Sequence, residues 1–392
     1  MFEKLYSERI KKTPSSFIRE ILKVTQKPEI ISFAGGLPNP ISFPQEELKV
    51  SMNRIAEKYG AKIYQYSTTV GLDILREYIV ERYKKLWNMD ITIDNVIITT
   101  GSQQALDLIA KVFTNENDKV MVEKPSYLGL LQAFCMYDAD FIQTKLNEDG
   151  LDIEELKNTI KTHKPKLAYL IPNFQNPTGL TYSKENREAV FEVIKDEDMI
   201  LIQDDPYGEL RFEGDRIPYI GLNQTNKNIY LGSFSKIVTP GMRLGYAIAD
   251  KEIIKMLETA KQASDLHSNI FGQYLIADYL QNNDLDKHIE KIKKLYKTQA
   301  NAMILAMEEF FPKNVKFTYP KGGMFTWVTL PAEKSAIKLF EKAIAKNVAF
   351  VPGDPFYVNT QNVNTLRLNY TNADSETIKE GISRLADAMN EA

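Results

Sequence analysis

Between residues 95 and 250 short apolar runs alternate with amphipathic stretches. The runs 95–100, 119–122, 167–171, 199–202, 229–231 and 244–248 are nearly all apolar or β-branched and read as buried strands. Between them, 102–113 places Ala105, Leu108, Ile109 and Val112 on one helical face, and 127–136 and 183–194 read as further helices. Strands without polar alternation, each followed by a helix, predict a mainly parallel sheet covered on both faces. The last third changes character. Leu285, Ile289, Ile292, Tyr296, Met303, Met307 and Phe310 form one stripe, which predicts a long helix over 284–311. A strand region over 315–330, broken at Gly322-Gly323, and the short strand Leu366-Arg367-Leu368 follow. Ile378, Ile382, Leu385 and Met389 mark a final helix with Asp374 as its N-cap. The expected fold class is α/β, a mainly parallel sheet sandwiched by helices, with a smaller α+β C-terminal domain. The expected boundaries are an arm over 1–47, a large domain over 48–284 and a small domain over 285–392.

Composition narrows the chemistry. The chain has 392 residues, room for two domains with sizeable cores. Lys plus Arg is 49 against 52 for Asp plus Glu, a net charge of −3, which argues against a nucleic-acid partner. Cys135 is the single cysteine, so neither a disulfide within the chain nor a cysteine metal cluster can form. His163, His267 and His288 are too far apart for a helical metal motif, and no metal is expected. No apolar run approaches the roughly 18 residues of a membrane span, and the N-terminus lacks a signal-type apolar core. A cytoplasmic protein without a membrane partner is expected.

The unusual residues fall at strand ends, where open α/β sheets bind ligands. Thr100-Gly101-Ser102-Gln103-Gln104 opens a helix, and a helix start offers free N–H groups to a phosphate; alternatively Ser102 simply caps that helix. Asn173-Phe174-Gln175-Asn176-Pro177-Thr178-Gly179 follows the third strand and is otherwise a tight loop. Gln203-Asp204-Asp205-Pro206-Tyr207 follows the fourth; its acid needs a partner if buried, or is a cap or surface turn. Gly232-Ser233-Phe234-Ser235-Lys236 and Pro240-Gly241-Met242-Arg243 come next. Lys236 is a solvated charge unless buried, in which case the field of Arg243 lowers its pKa toward the neutral amine that Schiff-base chemistry needs. As a set these residues suit pyridoxal 5'-phosphate, which requires a lysine for its aldehyde, a carboxylate for its ring nitrogen, donors for its ring oxygen and a cradle for its phosphate.

The chain closely resembles fold-type-I aminotransferases of the class I/II group, and within them the kynurenine/2-aminoadipate aminotransferase branch. The resemblance is carried in order by Ala34-Gly35-Gly36-Leu37-Pro38-Asn39-Pro40, Gln65-Tyr66-Ser67, residues 100–106, Pro125-Ser126-Tyr127, Asn176-Pro177-Thr178-Gly179, residues 204–207, 232–236 and 240–243, Gly322-Gly323-Met324-Phe325 and residues 366–368. It implies that Lys236 bonds the cofactor and carries the proton, that Asp204 pairs with the ring nitrogen, and that Asn176 and Tyr207 donate to the ring oxygen. Tyr127 is then the residue stacked on the ring. Ser102, Gln103, Ser233, Ser235 and Arg243 hold the phosphate, and Tyr66 reaches the phosphate of a neighbouring subunit, making a homodimer with shared sites. Arg367 clamps the substrate α-carboxylate, beside Gly36 and Asn176, with the bidentate fork that lysine lacks.

Arg19 matches the arm arginine that meets a substrate's distal group in this branch, which favours glutamate-like and 2-aminoadipate-like donors; an ion pair with Glu20 is the alternative. Gln203 stands where such enzymes often have glutamate, a change expected to bear on the surroundings of Asp204. The implied activity is transfer of an amino group from an acidic, aromatic or branched amino acid to a 2-oxo acid such as 2-oxoglutarate. A lyase on the same scaffold uses the same lysine and clamp. A regulator domain needs a basic winged-helix segment ahead of the motif at 34–38, which is not expected here.

Overall fold

The computed structural model describes residues 2–13, 21 and 27–391; Arg19 lies outside them. Among the described residues the central sheet has eight strands, in the spatial order Val96–Thr99, Gly245–Ile248, Asn228–Ser233, Ile200–Asp204, Leu167–Leu170, Lys119–Lys124, Asp140–Asn147 and Gly150–Leu151. The pairs from Asn228–Ser233 across to Asp140–Asn147 are all parallel. Gly245–Ile248 runs antiparallel to both of its neighbours, and Gly150–Leu151 closes the far edge antiparallel.

The reversed strand Gly245–Ile248 matters for the site. It enters the sheet at the edge where its neighbours leave, so Arg243, two residues before it, lands beside the carboxyl ends of the parallel strands. Register places Thr99 and Ser233 on either side of Gly245. A Cβ on Gly245 would sit 2.8 Å from both the Gly101 carbonyl carbon and the Ser102 nitrogen, so the next helix start rests directly on this strand.

The helices named from the periodicity are present, and three of them begin at a side-chain N-cap. Gly101–Phe113 buries Ala105, Leu108 and Ile109 against the sheet, with Val112 half-buried at its rim. Lys184–Ile194 begins after Ser183, whose hydroxyl accepts from the Asn186 N–H. Leu128–Cys135 is one residue shorter at each end than expected. Leu285–Phe310 is capped by Asp284 and buries Leu285, Ile289, Ile292, Tyr296, Met303 and Met307, while Phe310 is half-buried at its last turn. Ser375–Asn390 packs against it, with Asp374 accepting from the Thr377 N–H.

Beside these helices, Lys316–Phe317, Phe325–Thr329, Thr365–Asn369 and Val351–Pro352 form an antiparallel four-stranded sheet. Phe325 and Arg367 belong to adjacent strands of it. Ile31–Ser32 pairs with Val348–Ala349, which fastens the chain just ahead of residues 34–38 to this C-terminal region.

Candidate active site

A cavity of about 380 Å³ opens where the carboxyl ends of the central strands meet the small sheet and residues 36–38. It is lined by Lys236, Asp204, Tyr207, Ser102, Gln103, Tyr127, Asn176, Ser233, Ser235, Arg243, Arg367 and Gly36, together with Leu37, Leu128, Ile171 and Phe325. Of the expected site residues, Tyr66 does not line it. Its side chain is exposed and its ring meets His267 edge-on at 5.6 Å. A larger surface cleft of about 740 Å³, between Ile153–His163 and Lys184–Ile194, contains none of these groups.

One end of the cavity is the start of helix Gly101–Phe113. Its N-cap is Thr100, and no side chain caps it, so Ser102 sits in the first turn rather than capping it. Gly101 has φ +71°, and a Cβ there would lie 2.7 Å from the Arg243 guanidinium. The glycine thus lets Arg243 close over first-turn N–H groups that no side chain caps. Across from them the Ser233 hydroxyl accepts from the Ser235 N–H at 3.1 Å. Free helix N–H groups, hydroxyls and a guanidinium together form a site for an anion such as a phosphate.

Deeper in the cavity Asp204 is 2% exposed. Its Oδ2 accepts from the Tyr169 hydroxyl at 2.7 Å, while its Oδ1 is buried without a partner. Burial pushes its pKa up to about 7. An unpartnered buried carboxylate oxygen is costly, and a cationic N–H placed against it would remove that cost. Gln203 has no part in this. Its amide pairs with both the N–H and the carbonyl of Ile220, on the other side of the strand, so the expected influence on Asp204 is absent.

Lys236 Nζ donates to the Gly36 carbonyl at 2.7 Å. Its pKa is lowered to about 8, first by burial, then by the fields of Arg367 and Arg243. The direction matches the expectation, but burial outweighs Arg243, and Arg367 contributes as well. Tyr127 reaches toward Gln103, whose amide donates to the Gly129 carbonyl at 2.8 Å. Burial pushes the Tyr127 phenol up to about 12, so it presents a neutral ring.

Arg367 forms the opposite wall. It donates to Asn176 Oδ1 at 2.8 Å and to the Ala34 carbonyl at 2.9 Å, and it lies 4.3 Å over the Phe325 ring and 5.3 Å from that of Phe356. Among the described residues no carboxylate pairs with it, and its Nε is buried without a partner. Burial lowers its pKa to about 10, which leaves it charged at neutral pH. A buried guanidinium held by neutral acceptors and aromatic faces still lacks an anion, and a carboxylate supplies one bidentately. By accepting from Arg367 with its oxygen, Asn176 keeps its amide N–H groups for another partner.

Three supporting residues carry no sequence signal of their role. Tyr169 lies inside an apolar strand run. Glu123, fully buried, accepts from the Ile171 N–H at 3.1 Å, the Tyr182 hydroxyl at 2.7 Å and the Gln175 amide at 2.9 Å. Gln175 also donates to the Pro125 carbonyl at 3.0 Å and accepts from the Thr178 N–H at 2.9 Å. It therefore ties the loop bearing Asn176 to the loop bearing Tyr127. The donor set as a whole fits pyridoxal 5'-phosphate: an anion cradle, an orphaned carboxylate oxygen, a buried amine of lowered pKa and amide donors between them.

A family model described as aminotransferase class I and II matches residues 40–385. Aromatic-amino-acid aminotransferase 1 of Thermococcus litoralis is 42% identical, over 100% of this chain and 95% of its own length. The 2-aminoadipate transaminase of Thermus thermophilus is 41% identical over 96% of this chain and 94% of its own. Among solved structures, the kynurenine aminotransferase of Pyrococcus horikoshii, in complex with PMP, superposes with a TM-score of 0.95 at 44% identity, covering 99% of this chain and 98% of that one.

Proposed function

This chain belongs to the class I and II aminotransferases, and on that premise we propose that it moves the amino group of 2-aminoadipate, glutamate and aromatic amino acids to 2-oxoglutarate. It is a transaminase, with pyridoxal 5'-phosphate as its cofactor. When bound, the cofactor supplies a ring that withdraws electrons and stabilises negative charge at the substrate Cα.

The remaining work falls to the chain's own side chains. In this reading Ser102, Gln103, Ser233, Ser235 and Arg243 hold the phosphate, Asp204 the ring nitrogen, Asn176 and Tyr207 the ring oxygen, and Tyr127 one ring face. Arg367 grips the α-carboxylate of either substrate with two parallel N–H···O bonds. That grip turns Cα toward Lys236 Nζ, which takes its proton as a neutral amine. A pKa near 8 leaves a usable fraction of that amine at neutral pH. Phe325 and Phe356 exclude water from Arg367 and so strengthen its hold on the carboxylate. Leu37, Leu128 and Phe325 give the cavity apolar walls that suit an aromatic side chain.

The observation that carries the reading is Arg367, a buried guanidinium without a carboxylate partner among the described residues, in the same cavity as a buried lysine of lowered pKa. We further read the chain as a cytoplasmic homodimer in which Tyr66 completes the partner's site. The exposed Tyr64 and Tyr66 rings support that assembly. We likewise read the chain as an arm over 1–47, a large domain over 48–284 and a small domain over 285–392. No helix among the described residues is long and apolar enough to cross a membrane.

A donor panel with 2-oxoglutarate tests the substrate reading. Ping-pong kinetics with 2-aminoadipate, glutamate, phenylalanine and tyrosine are expected. A requirement for donor and acceptor bound together would defeat it. Repeating the panel with Arg19→Ala should depress the acidic donors selectively; unchanged rates with them would remove Arg19 from the pocket. Sedimentation of the purified protein as a monomer would refute the dimer.

A further inference from the structure

Outside the cavity, Lys261 is a cation whose side chain is 0% exposed. It stands at the end of helix Lys251–Gln262, and burial lowers its pKa. Its ammonium donates to Asp265 Oδ1 at 2.8 Å, Gln104 Oε1 at 2.7 Å and Ser268 Oγ at 3.0 Å, with Asp265 Oδ2 at 3.1 Å. An ammonium has three protons, and each finds an acceptor.

The geometry around Gln104 shows what this cluster does. Gln104 Oε1 accepts from Lys261 and also from the Thr100 backbone N–H at 2.8 Å. Its Nε2 donates to Asp265 Oδ2 at 2.6 Å, and the Thr100 hydroxyl lies 3.2 Å from that same oxygen and 3.0 Å from Ser268 Oγ. A cation on one side and a carboxylate on the other leave the amide a single favourable orientation. Flipped, it would turn its NH₂ toward Lys261 and release the Thr100 N–H. Thr100 is the N-cap of the helix whose first turn faces the cavity, and it precedes Gly101 at φ +71°. An apolar pair could fill the same space but would not orient the amide.

We propose that Lys261, acting with Asp265 through Gln104 and Thr100, is a positioning residue for the phosphate end of the cofactor site. It touches neither cofactor nor substrate; it holds the helix start so that its N–H groups point into the cradle. The proposal rests on residues 100–104 being the phosphate site.

The test compares apoprotein of wild type, Lys261→Met and Lys261→Arg, titrated separately with pyridoxal 5'-phosphate and with pyridoxal, which lacks the phosphate, and read by the visible absorbance gained. Lys261→Met should weaken pyridoxal 5'-phosphate binding roughly tenfold, the scale of one misaligned hydrogen bond to a charged group, while pyridoxal affinity changes less than about twofold. Lys261→Arg should recover most of the loss. Unchanged pyridoxal 5'-phosphate affinity in Lys261→Met overturns the proposal, and so does an equal loss for pyridoxal, which marks a residue that only holds the fold. Should Lys261→Met not fold, Asp265→Asn is read by the same two titrations with the same outcomes. A wild-type protein with no preference for the phosphorylated aldehyde would overturn the reading of the helix start, and this proposal with it. A preference kept intact in the variants overturns this proposal alone.

Discussion

The wall of the cavity around Gly101, Asp204 and Ser233 is drawn from neighbouring strands of one sheet, whereas the wall around Arg367 is brought together from residues 34–36, 176, 325 and 367. In the first, hydrogen-bonded register alone aligns the strand ends, and each polar residue follows its own strand within a few positions. In the second, a guanidinium contributed by the C-terminal sheet is held by a carbonyl at Ala34 and an amide at Asn176, 333 and 191 residues away. Sheet register brings the ends that carry the anion cradle and the carboxylate side by side. The proposed substrate clamp exists only when two sheets and the segment at 34–36 are docked. The first wall should therefore tolerate loss of the second, while the second should fail without touching the cofactor.

The sharpest break is Lys236→Ala, which serves both walls. Removing the proton carrier should lower kcat by about a thousandfold or more, checked by steady-state turnover with excess cofactor. Normal turnover in that variant would overturn the central assignment. Next, Arg367→Lys should lower kcat/KM for every donor by about a hundredfold while leaving cofactor affinity unchanged, since a lysine cannot make both bonds. A parallel loss of cofactor binding would erase the distinction between the walls.

A third test belongs to the cofactor wall alone. The Asp204 pKa is raised to about 7, so the folded apoprotein holds this proton more tightly than the unfolded chain does. The resulting stability is fully present below about pH 4 and is lost as pH rises through about 7, at up to about 1.4 kcal/mol per pH unit. Calorimetry of the apoprotein from pH 5 to 8 should show a falling Tm, and Asp204→Asn should flatten that fall. Glu123, raised to about 7 by burial with the same sign, remains in both proteins and leaves a residual slope. The smallest effect is expected of Tyr169→Phe, which removes one hydroxyl from Asp204. A loss of about 1 kcal/mol, near fivefold in cofactor affinity, should appear in an apoprotein titration with Arg367 function intact.

The two walls also differ in how far the sequence makes them legible. Lys236, Asp204, Asn176 and Ser102 are legible as candidates because each is a polar group at the end of an apolar strand run, where a cap, a tight loop or a surface charge is the alternative to chemistry. Helix ends at Ser183, Asp284 and Asp374 were legible within a residue because a cap is a local hydrogen bond. Arg367 was legible by resemblance, but its carbonyl partner at Ala34 and its aromatic faces were not. Tyr169, Glu123 and Lys261 carry no such signal: a polar residue inside an apolar run or a helix looks like noise until Asp204, Gln175 and Gln104, 35, 52 and 157 residues away, are in place beside them. Gln203 misled in the opposite sense, because adjacency to Asp204 in sequence puts it on the other face of the strand.

The order of residues by itself determined the strand and helix pattern around the site, the class of chemistry at the strand ends and the impossibility of a disulfide within the chain, since periodicity, caps and side-chain type act over a few positions. Tertiary structure alone decided which oxygen of Asp204 stays unpaired, how far burial shifts Lys236 and Arg367, and where the reversed strand delivers Arg243. Those are properties of what surrounds a group. In a folded chain the surroundings come from residues far away in sequence, through desolvation and long-range pairing that no local pattern records.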